Sequence, residues 1–302
     1  MMDSLCLAID IGGTKMCAGI VDNAGRVLAE KRALTPNRSG DDPAVAFAVL
    51  AGLIESVSAE TLLGSSSSRI AVCGVGCGGP MTQGGETVSP LNIPGWRRFP
   101  LRQRIAEIVD LPVYVDNDAK ALALGEWWKG SAQGLNSFLA AVVSTGVGGG
   151  IVLDGRLLDG NGGNCGHIGH VIVEPDGRKC ACGARGCLEA EASGTAIEAI
   201  TGQPAARASR EVKVRTGLLV GRALACVANL LDLKLALIAG SVALGFGSDF
   251  FDAAQEELNN SAKLDFSSGA IVKPAGLGDG GPLLGAAAVG FRALGAPGPW
   301  VG

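Results

Sequence analysis

Residues 5–28 read LCLAIDIGGTKMCAGIVDNAGRVL, and residues 138–158 read FLAAVVSTGVGGGIVLDGRLL. Leu5 to Asp10 predicts a strand, Gly12-Gly13 a turn, and Lys15 to Val21 its hairpin partner. Asn23-Ala24-Gly25 then turns the chain into a third strand, Arg26 to Lys31. In the second stretch Phe138 to Ser144 is the first strand and Thr145 to Gly150 the turn. Ile151 to Leu158 then matches Ile20 to Leu28 in residue type, with an extra residue in the earlier segment. The offset of about 130 residues is too long for a solenoid repeat. It predicts a duplicated domain, two lobes of similar plan with a ligand cleft.

The remaining pattern is one of strands alternating with helices, an α/β class. Helices are predicted over 41–62, 101–109, 117–128, 216–233, 250–262 and 283–294, the last rich in small residues. Strands are predicted over 69–75, 112–115, 235–239 and 271–273, with Gly240-Ser241 as a turn.

A chain of 302 residues exceeds what one hydrophobic core usually serves. Its 47% hydrophobic and 18% charged residues indicate a globular protein rather than a disordered one. The net charge of -4, without a basic tract, argues against a nucleic-acid partner. Met1-Met2-Asp3-Ser4 has no basic region ahead of an apolar core, so no secretory leader is expected. Leu135 to Leu153 and Leu218 to Phe246 are apolar but interrupted by polar residues, and read as buried elements rather than membrane spans. A cytoplasmic protein with no membrane partner is expected.

Nine cysteines at scattered spacing do not make a disulfide framework. Cys6, Cys17, Cys73, Cys77 and Cys226 sit in apolar runs and are assigned to packing. The rest fall between 165 and 187, where Gly166-His167-Ile168-Gly169-His170 precedes Cys180-Ala181-Cys182-Gly183-Ala184-Arg185-Gly186-Cys187. Thiolates plus an imidazole suit tetrahedral zinc, so His170, Cys180, Cys182 and Cys187 are the expected ligands of a closed structural site. Cys165 is a competing candidate.

Asp10-Ile11-Gly12-Gly13-Thr14-Lys15 and Ser144-Thr145-Gly146-Val147-Gly148-Gly149-Gly150 each follow an apolar strand. Such turns can aim backbone N–H groups at phosphate oxygens, and Asp10 would face the phosphate-bound magnesium. Gly74-Val75-Gly76-Cys77-Gly78-Gly79 has dinucleotide-like spacing, but Pro80 follows where a helix would have to begin. No P-loop motif is present. Val115-Asp116-Asn117-Asp118-Ala119-Lys120 puts carboxylates at a strand-to-helix junction, where they can accept a proton or cap the helix.

Together these motifs, in this order over nearly the whole chain, resemble the ROK family of the actin-like ATPase superfamily. The resemblance implies a two-lobed, duplicated ribonuclease H-like α/β fold with a zinc-binding loop in the larger lobe. The small lobe would span 1–117, rejoined by a C-terminal helix 291–302, and the large lobe 118–290. It implies an ATP-dependent kinase acting on the 6-hydroxyl of a hexose or N-acetylhexosamine, with magnesium on the nucleotide. Asp118 would be the catalytic base. Gly79, Asn92, Asn117, His167, His170 and Glu189 would hold the sugar, with His170 also on zinc. Asp10, Gly12, Gly13, Thr14, Lys15, Thr145, Gly146 and Gly240 would hold ATP and magnesium. A homodimer or homotetramer is expected. Repressor members carry an N-terminal DNA-binding domain, for which the phosphate motif at residue 10 leaves no room, so a sugar-sensing regulator is the lesser alternative. The common Glu-x-Gly-His motif has His167 in place of its glutamate, as in the family's bacterial N-acetylmannosamine kinases. A neutral histidine can donate to a substrate oxygen, whereas a carboxylate only accepts. N-acetylmannosamine is therefore the expected acceptor, with glucose or mannose the alternative. Lys120 departs from the small or amide residue usual there and is expected in solvent.

Overall fold

The computed structural model describes residues 4–36, 42–63 and 69–300. Met1 to Asp3, and Asp41 at the expected start of the first helix, lie outside the described residues. The chain divides into two compact units, Met1–Gly134 with Leu157–Cys165 and Gly276–Gly302, and Leu135–Arg156 with Gly166–Ala275.

The first unit contains β1 (Leu5–Ile11), β2 (Lys15–Asp22), β3 (Val27–Leu34), α1 (Pro43–Leu63), β4 (Ile70–Cys77), α2 (Leu101–Ala106), β5 (Val113–Asn117) and α3 (Asp118–Lys129). Its sheet runs β3-β2-β1-β4-β5. β1 pairs antiparallel with β2 and parallel with β4. A strand with neighbours on both edges and layers on both faces must be apolar throughout, which is why β1 reads as a continuous run. β3, at the edge, carries Glu30, Lys31 and Arg32, charges that discourage edge-to-edge pairing. Leu50, Ile54 and Val57 of α1 pack with Leu7, Ile9 and Ile20 of the sheet. Trp96 stacks on Phe99 at 4.5 Å, and its Nε1–H donates to the Pro43 carbonyl at 3.1 Å.

The second unit contains β6 (Phe138–Val143), β7 (Val147–Leu153), the start of β8 (Arg156–Leu157), α4 (Leu188–Ala192), α5 (Gly194–Thr201), α6 (Arg210–Leu231), β9 (Leu235–Ala239), α7 (Ser241–Phe246), α8 (Ser248–Ser261) and β10 (Ile271–Pro274). Its sheet order β8-β7-β6-β9-β10 repeats the plan β3-β2-β1-β4-β5, which bears out the duplication. The glycine turn is shorter than expected. Val147 already pairs with Val143, so Gly148, Gly149 and Gly150 are strand residues. Gly149 is small because Gly166 crosses its backbone, leaving no room for a Cβ on either. α6 starts six residues earlier than expected, where Ser209 caps the Val212 N–H. α6 is long and apolar enough to cross a membrane, but half of its apolar window is buried. Gly217 and Gly221 lie directly on Phe250 and Ala254 of α8.

The final helix, α9 (Gly281–Ala293), belongs to the first unit. Its small residues let it lie on bare backbone. A Cβ on Gly74 of β4 would run into Ala286 and stand 2.6 Å from the Gly290 nitrogen. One on Gly125 of α3 would stand 3.0 Å from the Gly285 nitrogen. The glycine spacing around Gly74 thus serves helix-on-sheet packing. The same contacts group α3 with the first unit, so the division falls after Gly134 rather than at 117, and the return begins at Gly276 rather than 291.

Candidate active site and metal-ligating cluster

In the first unit, register places Asp10 of β1 beside Gly76 of β4, and Gly76 beside Asp116 of β5. Residues side by side in parallel strands point to one face. The bare Gly76 leaves space that the first turn of α3 fills. A Cβ there would stand 3.6 Å from Asp118 Cα and 3.7 Å from Asp10 Oδ1. Burial pushes the Asp10 carboxyl up to about 7, and the Asp118 charge pushes the same way against Lys15 and Arg32. The Ala119 N–H donates to Asn117 Oδ1 at 3.0 Å and to Asp118 Oδ1 at 2.8 Å, so Asn117 caps α3.

The turn ahead of Lys15 is closed by the Gly12 N–H donating to the Lys15 carbonyl, and Thr35 Oγ1 donates to the Gly12 carbonyl at 2.7 Å. Thr35 N–H donates to the Thr14 carbonyl at 3.0 Å. Asn92 lies on the open face of Gly13, its Cγ 3.1 Å from where a Cβ would be. Gly79 precedes a cis Pro80. Lys120 is not in solvent. Its side chain is 2% exposed, with Nζ 2.8 Å from Asp116 Oδ1 and 2.7 Å from Asp159 Oδ1. A long stem in the buried first turn of α3 can reach acceptors only inward.

In the second unit three turns meet at the end of β6. Gly240, at φ 101°, lies so close to the Val143 backbone that any Cβ would collide. Ser144 Oγ and Ser241 Oγ are 3.0 Å apart. Gly194 N–H donates to the Ser144 carbonyl at 2.7 Å, and Thr195 Oγ1 donates to the Thr145 carbonyl at 3.0 Å. The expected Thr145, Gly146 and Gly240 therefore gather in one place. Gly194 and Thr195 were missed, although Ser193-Gly194-Thr195 carries a legible cap, Ser193 Oγ accepting from the Ala196 N–H at 3.1 Å.

The ligand atoms of His170, Cys180, Cys182 and Cys187 all lie within 4.8 Å of one another. Cys182 and Cys187 sulfurs are 3.7 Å apart, and Cys180 Sγ is 3.8 Å from His170 Nδ1. Metal–sulfur bonds of about 2.3 Å in a tetrahedron require edges of about 3.8 Å, so the donor set fits one ion. Cys165 is outside this group of four. The loop closes through Cys180 N–H to the Ala184 carbonyl at 2.8 Å, with Gly183 at φ 100°. The Ala184 N–H holds the Cys182 thiol below its usual value, favouring thiolate.

Two anchors not read from sequence hold this loop, the first buried and the second partly exposed. Glu191, 3% exposed, accepts from the Arg178 N–H at 2.6 Å and from Arg215 at 2.7 Å. Arg222 donates to the Val173 carbonyl at 2.8 Å and pairs with Glu174 and Glu257. Glu189 Oε2 accepts from the Val147 N–H at 2.9 Å, and Gly169 packs on the Val147 backbone. The His167 and His170 rings are 6.0 Å apart. Glu189, His167 and His170 are thus gathered at the start of β7.

The model of the ROK family matches residues 6–292. The N-acetylmannosamine kinase of Yersinia pseudotuberculosis is 35% identical over 256 residues, covering 80% of this chain and 84% of that one. A ROK family glucokinase from Streptomyces griseus, solved with glucose and AMPPNP, superposes with a TM-score of 0.82 at 28% identity, over 95% of this chain and 99% of that one. A ROK hexokinase from Thermus thermophilus gives 0.77 at 30% identity, over 96% and 99%.

Proposed function

Because this chain belongs to the ROK family and is a carbohydrate kinase, we propose that it transfers the γ-phosphoryl group of ATP to the 6-hydroxyl of N-acetylmannosamine. The observation that carries the chemistry is the approach of Asp118 to Asp10 over the bare Gly76, beside the Gly12-Gly13 turn. Asp118 takes the proton of the acceptor hydroxyl as its oxygen bonds to the γ-phosphorus and the bond to the ADP oxygen breaks. Asp10 would hold the magnesium of the nucleotide, which when bound neutralises charge on the phosphates. Gly12, Gly13, Thr14 and Lys15 face phosphate oxygens in the first unit, and Thr145, Gly146 and Gly240 take the nucleotide in the second.

Gly79, Asn92 and Asn117 contact the acceptor in this reading, as do His167, His170 and Glu189. His167 in place of a glutamate, and the name borne by the 35% identical Yersinia relative, support N-acetylmannosamine over glucose. Glucose is the second reading, supported by the likeness to the Streptomyces glucokinase. His170, Cys180, Cys182 and Cys187 would hold zinc, the metal that three sulfurs and an imidazole suit. His170 would hold zinc through Nδ1, the nitrogen near Cys180 Sγ, and its Nε2–H would remain to donate to the acceptor. The enzyme is assigned to the cytoplasm, as a homodimer or homotetramer.

The test is ADP release with ATP and magnesium against N-acetylmannosamine, N-acetylglucosamine, glucose and mannose. N-acetylmannosamine should give the highest kcat/KM. Asp118→Asn should lower kcat by about 10²–10⁴-fold while leaving the fold intact. Glucose tenfold better than N-acetylmannosamine would sink the acceptor assignment. An unimpaired Asp118→Asn would sink the assignment of the base.

A further inference from the structure

This inference rests on the kinase reading and concerns how the acceptor is placed. Lys120 is almost fully enclosed, and its three protons face three acceptors: Asp116 Oδ1 at 2.8 Å, Asp159 Oδ1 at 2.7 Å and the Gly163 carbonyl at 3.3 Å. An ammonium gives up its hydration when buried, and a methionine of similar length would fill the same space without that loss. The charge is therefore useful for what it holds. Asp159 and Gly163 lie on the strap Leu157–Cys165, whose Cys165 N–H closes back on the Asp159 carbonyl at 3.0 Å. Asp116 stands directly before Asn117 and Asp118.

The far end of the strap has its own anchor. Asn164 Oδ1 accepts from the Met81 N–H at 3.1 Å, and Asn164 Nδ2 donates to the Met81 carbonyl at 2.9 Å. Both polar groups of Met81, two residues after Gly79, are thus taken by a single side chain. Arg292 of α9 adds its guanidinium 3.6 Å from Asp159 Oδ2. The strap is tied through Asp159 and Gly163 to the turn that carries Asp118, and through Asn164 to the loop that carries Gly79.

We propose that Lys120 and Asn164 are positioning residues for the acceptor. Through the strap they set the distance of the Gly79–Met81 loop from the Asn117–Asp118 turn, and so hold the acceptor with its hydroxyl at Asp118. Neither touches a reacting atom. A displacement of about 1 Å at an acceptor costs far more in reaction than in stability.

The experiment uses the full chain and the variants Lys120→Met, Asn164→Leu and Asp159→Asn. Kinetics are measured with the sugar the wild type turns over best, and amide hydrogen exchange with no ligand. Lys120→Met and Asn164→Leu should each raise the sugar KM about tenfold and leave the ATP KM within about twofold. The double variant should be little worse than either single one, because one strap transmits both effects. Amides of 157–165 and of Met81 should exchange about tenfold faster in all three variants. A sugar KM within about twofold of wild type in variants that fold overturns the proposal, since a merely stabilising ion pair lowers Tm without moving KM. Should Lys120→Met not fold, Asn164→Leu and the half-exposed Asp159→Asn decide it. A wild type that turns over no sugar defeats the kinase reading alone. Exchange then decides the strap, and unchanged protection in Asn164→Leu and Asp159→Asn overturns it.

Discussion

Asp10 and Lys120 show how differently two enclosed charges of one unit are handled. Lys120 has carboxylates within 2.8 Å, whereas Asp10 is pushed by burial, and then by the like charge of Asp118, from 3.8 up to about 7. A carboxyl raised in the folded state binds its proton more tightly folded than unfolded. Its stabilising contribution is full below about pH 4 and is lost as pH climbs through 7. In metal-free and nucleotide-free protein, Asp10→Asn should therefore melt higher than wild type at pH 8, by about 1–3 kcal/mol, with the gap closing toward pH 4. Thermal melts at the two pH values check this, and an equal gap at both would refute it. Asp10, Asn117 and Asp118 were legible in the sequence because each sits at a strand end or a cap, positions marked by local pattern. Lys120 was not legible. Its nearest sequence neighbours say nothing of the strap that encloses it.

The helices α3 and α9 carry the next level of argument. Near the end of α3, Glu126 is fully buried and accepts backbone N–H groups from Ser131 at 2.8 Å, Gly276 at 3.1 Å and Leu277 at 2.9 Å. Its charge is spread over donors that have no other acceptor of comparable strength. Glu126→Gln should lower stability by about 2–4 kcal/mol, read as a fall in Tm, with the KM for ATP in the folded fraction unchanged. Gly240, at the start of α7, meets the Val143 backbone at a positive φ. Gly240→Ala should weaken nucleotide binding at least tenfold, measured by calorimetry, because the turn must move away from Thr145. Long elements such as α6 and β1 were readable from their periodicity. The short α4, α5 and α7 were not, since fewer than three helical turns give little period to detect. The glycines of β7 misled for a related reason. A glycine run marks close approach, and sequence does not say whether the approaching group is a ligand or, as here, the crossing backbone of Gly166.

In the molecule as a whole, two sheets of one plan arise from two copies of one strand order. The metal-ligating loop belongs to the second unit and is held there by Glu191 and Arg222. Removing a bound ion with a strong chelator should therefore loosen residues 166–187 first. Amide exchange there should rise about tenfold while β1 and β4 keep their protection. Equal loss in both units would show that the ion holds up the entire chain. The duplicated strand plan, the α/β class and the quartet of His170, Cys180, Cys182 and Cys187 could all be deduced from the order of residues, because periodicity and short spacing are local properties. The burial of Lys120 beside Asp159, 39 positions away, and of Glu126 beneath Gly276, 150 positions away, was decided only by the fold. Whether a charge is solvated depends on which distant backbone comes to lie over it, and that is settled by packing.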